Sequence, residues 1–308
     1  MRIIFWLLFI LSWSCAEEQG KTIVYIDAFK DDTIEQARKG FEKALQDQGV
    51  QEVKLNYKNA QGDIPSLNQL VRFASAQEVD LIATCPSLAT IAAVQFEKNI
   101  PIVMMVSPTP ERMMLLDAQG NAPSNLYGVA ETIDYIDTSF AMIMELLPKE
   151  DLSIGLIYNP SEPQSVNAYE RLNELALKIG VSLIAKPVTN TGELQLVTGA
   201  LLNEGIDAFF ANPDNTVFGG FETIVNTCDK ANIPVFTSES GLVARGAIAA
   251  YGPDIYEWGY QSGIIAAELL KGNSVEPKWE LVKKRIKVYN QEAAKKFNLE
   301  VPSAFKPL

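Results

Sequence analysis

The 308-residue sequence predicts an α/β protein made of two similar lobes, each holding a parallel β-sheet covered by helices on both faces. Short apolar segments of strand length alternate with helical segments of roughly 10–17 residues, a pattern typical of parallel sheets. The pattern restarts at residue 154, and residues 79–83 with 99–101 resemble residues 206–210 with 232–234. Because these matches fall on equivalent strands of the two halves, they indicate a repeated architecture.

The first half of the chain is predicted to contain four strands and three helices. The apolar residues Ile34, Ala37 and Phe41 share one face of the first helix, as a helical period requires. Asp32 with Glu35 three positions later resembles a capping box at its start. The predicted strands are 23–26, 53–57, 81–84 and 101–106, and the predicted helices are 32–48, about 67–74 and 87–97.

The second half repeats this alternation and ends in a short tail. The predicted strands are 154–158, 181–188, 207–211 and 234–237, and the predicted helices are 166–179, 194–202 and 217–230. The tail adds a helix at 256–270, a strand at 283–289 and a helix at 291–297. One helix followed by one strand indicates a chain that returns to complete the earlier lobes.

The chain is acidic and has no histidine, with 26 Lys and Arg against 38 Asp and Glu and a net charge of −12. Nucleic acid is not an expected partner, because affinity for it comes mainly from Lys and Arg neutralising phosphates. The lack of histidine excludes a Ser-His-Asp triad, a Cys-His pair and an HExxH zinc site. We therefore expect no catalytic residues, cofactor or metal. Cys85 and Cys228 are expected to be buried thiols, with a disulfide as the alternative that export would permit.

The first fifteen residues have the composition of a secretory signal peptide. Arg2 precedes an apolar run over residues 3–11, which is too short to span a bilayer, and small residues follow up to Cys15. Cys15 stands where a bacterial lipoprotein carries its acylated cysteine. We therefore expect an exported protein, periplasmic or at the cell surface, anchored to the membrane through lipidated Cys15. A soluble exported protein and a buried helix are the alternatives.

Several segments, most of them between a predicted strand and the next helix, carry a resemblance to a known family. They are residues 59–63, 158–165, 214–217, 233–236 and 246–252, with Gly259 and residues 270–272 near the end. In this order they resemble the ABC-transporter substrate-binding family that includes the tryptophan/tyrosine-binding proteins. The resemblance implies a type I periplasmic-binding-protein fold, in which two Rossmann-like lobes are joined by three hinge crossovers and a ligand binds in the cleft.

The segment pattern places lobe 1 at residues 21–130 plus 254–281 and lobe 2 at residues 131–253 plus 282–308, after a signal peptide over residues 1–15. In open α/β sheets, ligands bind beyond the carboxyl ends of the strands, where helix starts offer backbone N–H groups to anions. The chain departs from the family pattern at Asp31, Cys85, Ser107 and Gln164, all at the predicted cleft.

The candidate ligand contacts follow the predicted strands. Asp214 would accept a hydrogen bond from a ligand ammonium group, and an N-cap is its alternative role. Ser165 and Ser87 would offer hydroxyls and helix-start amides to a carboxylate, again with capping as the alternative. For Asp31 the alternative is a solvent-facing cap. The full set is Phe29, Asp31, Cys85, Pro86, Ser87, Ser107, Asn159, Gln164, Ser165, Asp214, Asn215, Thr216, Glu239 and Ser240.

An acid paired with hydroxyl-bearing helix starts indicates a zwitterionic ligand, an α-amino acid, and the apolar side chains of Phe29 and Phe218 favour an aromatic one. We therefore expect a monomeric solute-binding protein of an ABC importer, which captures a small molecule and delivers it to a membrane permease and its ATPase. A receptor of the same fold that signals to a chemoreceptor or kinase is the alternative. A carboxylate-based enzyme is a third hypothesis, although no acid pair stands out in the sequence.

Overall fold

Two separate β-sheets organise the chain in the computed structural model, which describes residues 20–30, 32–50 and 52–308. We call the six-stranded sheet with its helices lobe 1 and the seven-stranded sheet with its helices lobe 2. Apolar clusters lie on both faces of each sheet, beneath the helices. The predicted α/β class with two parallel-sheet lobes is confirmed. The predicted signal peptide, Cys15 and Asp31 lie outside the described residues.

Strands and helices alternate through most of the described chain. The strands are β1 (Thr22–Asp27), β2 (Lys54–Asn59), β3 (Leu81–Cys85), β4 (Ile102–Pro108), β5 (Leu126–Glu131), β6 (Ser153–Tyr158), β7 (Ser182–Pro187), β8 (Ala208–Ala211), β9 (Val235–Thr237), β10 (Ala249–Pro253), β11 (Trp279–Leu281), β12 (Arg285–Tyr289) and β13 (Lys306–Pro307). The helices are α1 (Asp32–Asp47), α2 (Ile64–Ser75), α3 (Ser87–Phe96), α4 (Tyr135–Leu146), α5 (Pro163–Ile179), α6 (Leu194–Asn203), α7 (Asn215–Gly219), α8 (Phe221–Lys230), α9 (Ser240–Val243), α10 (Ile255–Leu270) and α11 (Gln291–Lys296).

The two sheets have related strand orders. The sheet of lobe 1 runs β11-β5-β4-β3-β1-β2, with every neighbouring pair parallel. The sheet of lobe 2 runs β13-β12-β10-β9-β8-β6-β7, and here only β12 against β10 is antiparallel among the described pairs. In both sheets the first strand of the lobe is flanked by the second and third, the arrangement of a doubly wound fold.

The chain passes between the lobes three times, from β5 to α4, from β10 to α10 and from β11 to β12. Ion pairs connect these crossing segments. Arg285 Nη2 lies 2.6 Å from Glu131 Oε1 at the end of β5, and Lys284 Nζ lies 2.6 Å from Glu257 Oε1 in α10. Ion pairs therefore connect the third crossing to each of the other two.

Helices α1 and α10 pack together on one face of the lobe 1 sheet, where glycines allow their backbones to touch. A Cβ atom on Gly40 would lie 2.0 Å from the carbonyl oxygen of Tyr256, and one on Gly259 would lie 1.8 Å from that of Ala37. Real Cβ atoms do not approach a backbone oxygen so closely. Because α10 comes directly from a strand of lobe 2, this contact fixes the returning chain on lobe 1.

Most of the predicted elements are confirmed, with ends that shift by a few residues. Strands β5, β10, β11 and β13 and helices α4 and α9 have no counterpart in the sequence-based prediction. The single helix predicted over residues 217–230 is wrong. It consists of α7 and α8, which meet at Gly220, where the backbone is not helical and a Cβ atom would lie 2.3 Å from Leu194 Cδ1.

The two cysteines of the described residues are buried, and they form no disulfide. This confirms the expectation of buried thiols. Burial raises the pKa of the Cys228 thiol to about 12, so that it stays protonated in neutral solution. Within the described ranges, no helix combines the length and the apolar character needed to cross a bilayer.

Candidate functional site

The carboxyl ends of the strands mark where a site can form. The strand order switches direction between β1 and β3 in lobe 1 and between β6 and β8 in lobe 2. Ligands of open α/β sheets bind at such switch points, outside the carboxyl ends of the strands. Every predicted ligand contact that the structure describes lies at a strand end or within a few residues after it.

In lobe 2, Asp214 sits at the centre of a buried network that spans the switch point. It is 1% exposed, and its Oδ2 accepts hydrogen bonds from the Asn159 backbone N–H and the Ser165 hydroxyl, both at 2.6 Å. Its Oδ1 accepts from the Val217 backbone N–H at 2.9 Å, which makes Asp214 the N-cap of α7. The capping role that the sequence left open for Asp214 is therefore present.

The Ser165 hydroxyl belongs to the same network. It donates to Asp214 and accepts from Asn212 Nδ2 at 3.0 Å and from the Asn159 backbone N–H at 3.2 Å. Ser165 is fully buried, and so is Asn212. The hydroxyl thus joins the segment around residues 159–165 to the distant segment that contains Asn212 and Asp214, and its hydrogen-bonding capacity is used within lobe 2.

Glu162, which the sequence analysis missed as a site residue, binds the predicted residues Gln164, Asn215 and Thr216. Its carboxylate accepts from the backbone N–H groups of Asn215 and Thr216 at 2.9 and 3.2 Å, and from Gln164 Nε2 at 2.7 Å. The Thr216 hydroxyl lies 2.9 Å from both Glu162 Oε1 and Asn159 Nδ2. Negative charge at the start of a helix is favourable, so Glu162 and Asp214 together hold α7 in place.

In lobe 1, the corresponding edge is formed by Cys85, Pro86 and Ser87. The Cys85–Pro86 peptide bond is cis, and Ser87 is the first residue of α3. No side chain among the described residues caps this helix, and Ser87 remains half-buried. The start of α3 therefore keeps backbone N–H groups that can bind an anion.

Ser107 lies in a buried row of hydroxyls behind this edge. Its hydroxyl donates to the carbonyl oxygen of Met105 at 3.1 Å and lies 3.4 Å from that of Thr90, which is in turn 2.9 Å from that of Thr84. Ser107 is 1% exposed. The row ties β3, α3 and β4 together directly beneath the edge.

Phe29 follows β1 and forms the apolar part of this edge. It is half-buried against the apolar cluster under α2 and α3, and its carbonyl oxygen accepts a hydrogen bond from Asn59 Nδ2 at 2.8 Å. Its ring packs over Gly62, where a Cβ atom would lie 3.4 Å from Phe29 Cδ1. Contacts with Gly62 and with the apolar cluster therefore hold the Phe29 ring in place.

Glu239 and Ser240 follow β9, next to the crossing from β5 to α4. Glu239 Oε1 accepts a hydrogen bond from the Tyr135 hydroxyl at 2.9 Å. Burial raises the pKa of Glu239, and the nearby negative charge of Glu131 raises it further. Both Glu239 and Tyr135 keep part of their surface accessible, as Ser240 does. Tyr135 and Glu131 were not predicted as site residues.

Asp27 is a further acid that the sequence analysis missed. It ends β1 at the lobe 1 switch point, it is 2% exposed, and its Oδ1 has no hydrogen-bond partner within the described residues. Burial raises the pKa of Asp27 to about 7, although a hydrogen bond to Tyr57 and the charge of Arg38 act in the opposite direction. In the sequence, Asp27 could have been recognised as a site residue because it is a single acid at the end of an apolar strand.

A model of the family described as ABC transporter substrate binding protein matches residues 23–305. The chain belongs to this family. A tyrosine-binding protein of Clostridioides difficile is 29% identical to this substrate binding protein over 246 residues, which cover 79% of this chain and 70% of the relative. An uncharacterized protein of Rickettsia prowazekii is 24% identical over 266 residues, which cover 86% of this chain and 80% of the relative.

Solved structures share the fold of this substrate binding protein over nearly the whole chain. The ligand-free, open structure of a substrate binding protein with adhesive properties from Clostridium difficile superimposes with a TM-score of 0.78 and 26% identity, covering 94% of this chain and 99% of that one. An ABC domain from Streptococcus pneumoniae in complex with L-Trp gives a TM-score of 0.79 and 22% identity, covering 92% and 97%. The type I periplasmic-binding-protein fold that the resemblance implied is confirmed.

Proposed function

We propose that this substrate binding protein is the exported receptor of an ABC importer, which captures an α-amino acid between its lobes and delivers it to a membrane permease and its ATPase. Aromatic amino acids are the favoured ligands. The observation that carries the proposal is the concentration of polar side chains at the switch points of both lobes, in a chain of the substrate binding family whose relatives include a tyrosine-binding protein.

The geometry of the two edges suits a zwitterion with an apolar side chain. The start of α3 at Ser87, which no side chain of the described residues caps, offers backbone N–H groups to a carboxylate. Acidic side chains at strand ends offer acceptors to an ammonium group. The half-buried ring of Phe29 offers an apolar surface to the ligand side chain. The predicted contacts from Phe29 to Ser240 remain proposals that ligand binding has to test.

Substrate binding proteins of ABC transporters act outside the cytoplasm. We propose that this one is a monomer held at the membrane by lipidated Cys15 and that it has no enzymatic activity. A sensor that hands its ligand signal to a chemoreceptor or kinase is the alternative. Neighbouring permease and ATPase genes would favour import, and a neighbouring receptor-kinase gene would favour sensing. Turnover of a bound amino acid by the pure protein would contradict both.

Calorimetry of the purified protein against the twenty amino acids tests the proposal, with native mass spectrometry first to identify any ligand that co-purifies. We expect binding of one or a few amino acids, with Tyr, Trp or Phe among them. Small-angle scattering should then show a smaller radius of gyration with ligand, since hinged lobes close around it. If no amino acid binds, the proposed ligand class is wrong, and nucleosides and sugars are the next to screen.

A further inference from the structure

The proposed zwitterion needs one carboxylate of the protein for its ammonium group, and the described acids differ in how far they are already engaged. Asp214, the acid that the sequence favoured, has both oxygens occupied by three donors from Asn159, Ser165 and Val217 at 2.6–2.9 Å. It is 1% exposed. An ammonium group could reach it only by displacing a buried donor, which would leave that donor without a partner.

Other acids near the strand ends are engaged or covered as well. Glu131 is paired with Arg285 at 2.6 Å, and Glu162 binds the backbone at the start of α7. Asp254 caps α10 and lies 3.5 Å from Lys284 Nζ. Asp27, the last residue of β1, has only 2% of its surface exposed. None of these combines an accessible carboxylate with an unmet need for positive charge.

Glu239 combines both properties. Glu239 as a residue keeps part of its surface accessible at the carboxyl end of β9, and no ion pair of the described residues includes it. Tyr135 donates to Oε1 at 2.9 Å and thereby fixes the orientation of the carboxylate. Burial raises the pKa of Glu239, and so does the negative charge of Glu131, although hydrogen bonds from Tyr135 and Ser238 act in the opposite direction. A bound cation would relieve both effects.

The position of Glu239 also relates it to lobe 1. Glu131, whose negative charge acts on Glu239, is the last residue of β5 in lobe 1. It pairs with Pro108 of β4, the residue after Ser107. Glu131 Oε2 is buried and has no hydrogen-bond partner within the described residues. Negative charge from both lobes is therefore concentrated beside the crossings, and among the described residues Arg285 pairs with Glu131 and not with Glu239.

Resting on the proposed function, we infer that Glu239, oriented by Tyr135, receives the ammonium group of the bound amino acid, whereas Asp214 orders the lobe 2 edge without touching that group. Glu239 is then a residue that makes the site specific for amines. A ligand that lacks the amine would leave Glu239 buried against it without a positive partner.

The test compares Glu239→Gln, Asp214→Asn and wild type by calorimetry with L-tyrosine, L-tryptophan and 3-(4-hydroxyphenyl)propionate, the last being tyrosine without its amine. Gln keeps an acceptor for Tyr135, so Glu239→Gln should keep the wild-type thermal midpoint. Losing the partner of a desolvated charge should weaken amino acid binding by about 30-fold or more. Affinity for the propionate should not fall. Asp214→Asn should lower the thermal midpoint and reduce the affinity for every ligand that binds by a similar factor.

Three outcomes separate the inference from the proposed function. Equal amino acid affinity of Glu239→Gln and wild type overturns the inference and leaves the proposed function intact. Equal weakening of amino acid and propionate by Glu239→Gln also overturns it, because the residue would then only shape the cleft. If no amino acid binds wild type, the proposed function fails, and the inference fails with it.

Discussion

Replacing Asp214 by alanine should destabilise the protein far more than replacing an ordinary helix cap. The substitution removes an acceptor of three hydrogen bonds, at 2.6, 2.6 and 2.9 Å, from a site that is 1% exposed. A lost N-cap costs about 1 kcal/mol, and each hydrogen bond to a charged group contributes about 1.5–3 kcal/mol. Because the effects overlap in one network, we expect a total loss of about 3–5 kcal/mol.

Asp63 provides the matched control. It caps α2 through one hydrogen bond, from the Ser66 backbone N–H at 2.8 Å, and its side chain is exposed. Asp63→Ala should therefore destabilise the protein much less than Asp214→Ala does. Urea unfolding gives both free energies, and calorimetry should show the thermal midpoint of Asp214→Ala lowered by roughly 10 °C. If the two variants lose the same stability, the network around Asp214 does not hold the lobe 2 edge in place.

Three other predictions follow from particular residues. Burial raises the pKa of Asp27 from its ordinary 3.8 to about 7, so between these pH values the folded protein holds a proton that the unfolded chain has released. The stability of the wild type, measured by urea titration, should therefore fall relative to that of Asp27→Asn by about 3 kcal/mol between pH 5 and pH 8. A difference that does not depend on pH would contradict this. Gly259→Ala should lose about 2 kcal/mol or more, because its Cβ would lie 1.8 Å from the Ala37 carbonyl oxygen, whereas Gly199→Ala in open space should be neutral or stabilising in the same assay. Cys15→Ser should move the protein from the detergent phase to the aqueous phase and abolish acyl labelling, and equal partitioning of the two forms would remove the proposed anchor.

The sequence predicted the strands with strong apolar runs and missed those without them. β5 contains Gly128, whose positive φ and close approach to the Met104 backbone make it a special position within a strand. No run of β-branched residues marks it. α4 has a clear apolar face, with Ile136 and Phe140 buried, but its N-cap Asp134 makes no side-chain capping bond. The start of α4 therefore carries no capping signal in the sequence, and the strand before it was not predicted either. For both reasons, the sequence could not show where the loop ends and the helix begins.

The sequence predicted which segments form the site but not which of their groups form hydrogen bonds with each other. The motif residues of lobe 2 do come together, yet Asp214 and Asn159 are 55 positions apart in the chain. Which group bonds to which depends on how β6 and β8 pair, and a single sequence does not contain that register. Asp27 shows the same limit, since it is buried where the end of β1 pairs with β2 and β3, and a single sequence does not reveal that pairing.

The two switch points differ in a way that bears on how the site works. In lobe 2, the carboxylate of Asp214 is saturated by donors of its own lobe, so this edge is already in a fixed arrangement without ligand. In lobe 1, no side chain of the described residues caps the start of α3, so its first backbone N–H groups have no such partner. Unmet hydrogen-bonding capacity is what a ligand can satisfy, and preorganised edges lose little entropy when they bind. We therefore expect lobe 2 to act as the rigid wall, with Glu239 placed on it, and lobe 1 to supply the backbone donors that the ligand carboxylate completes.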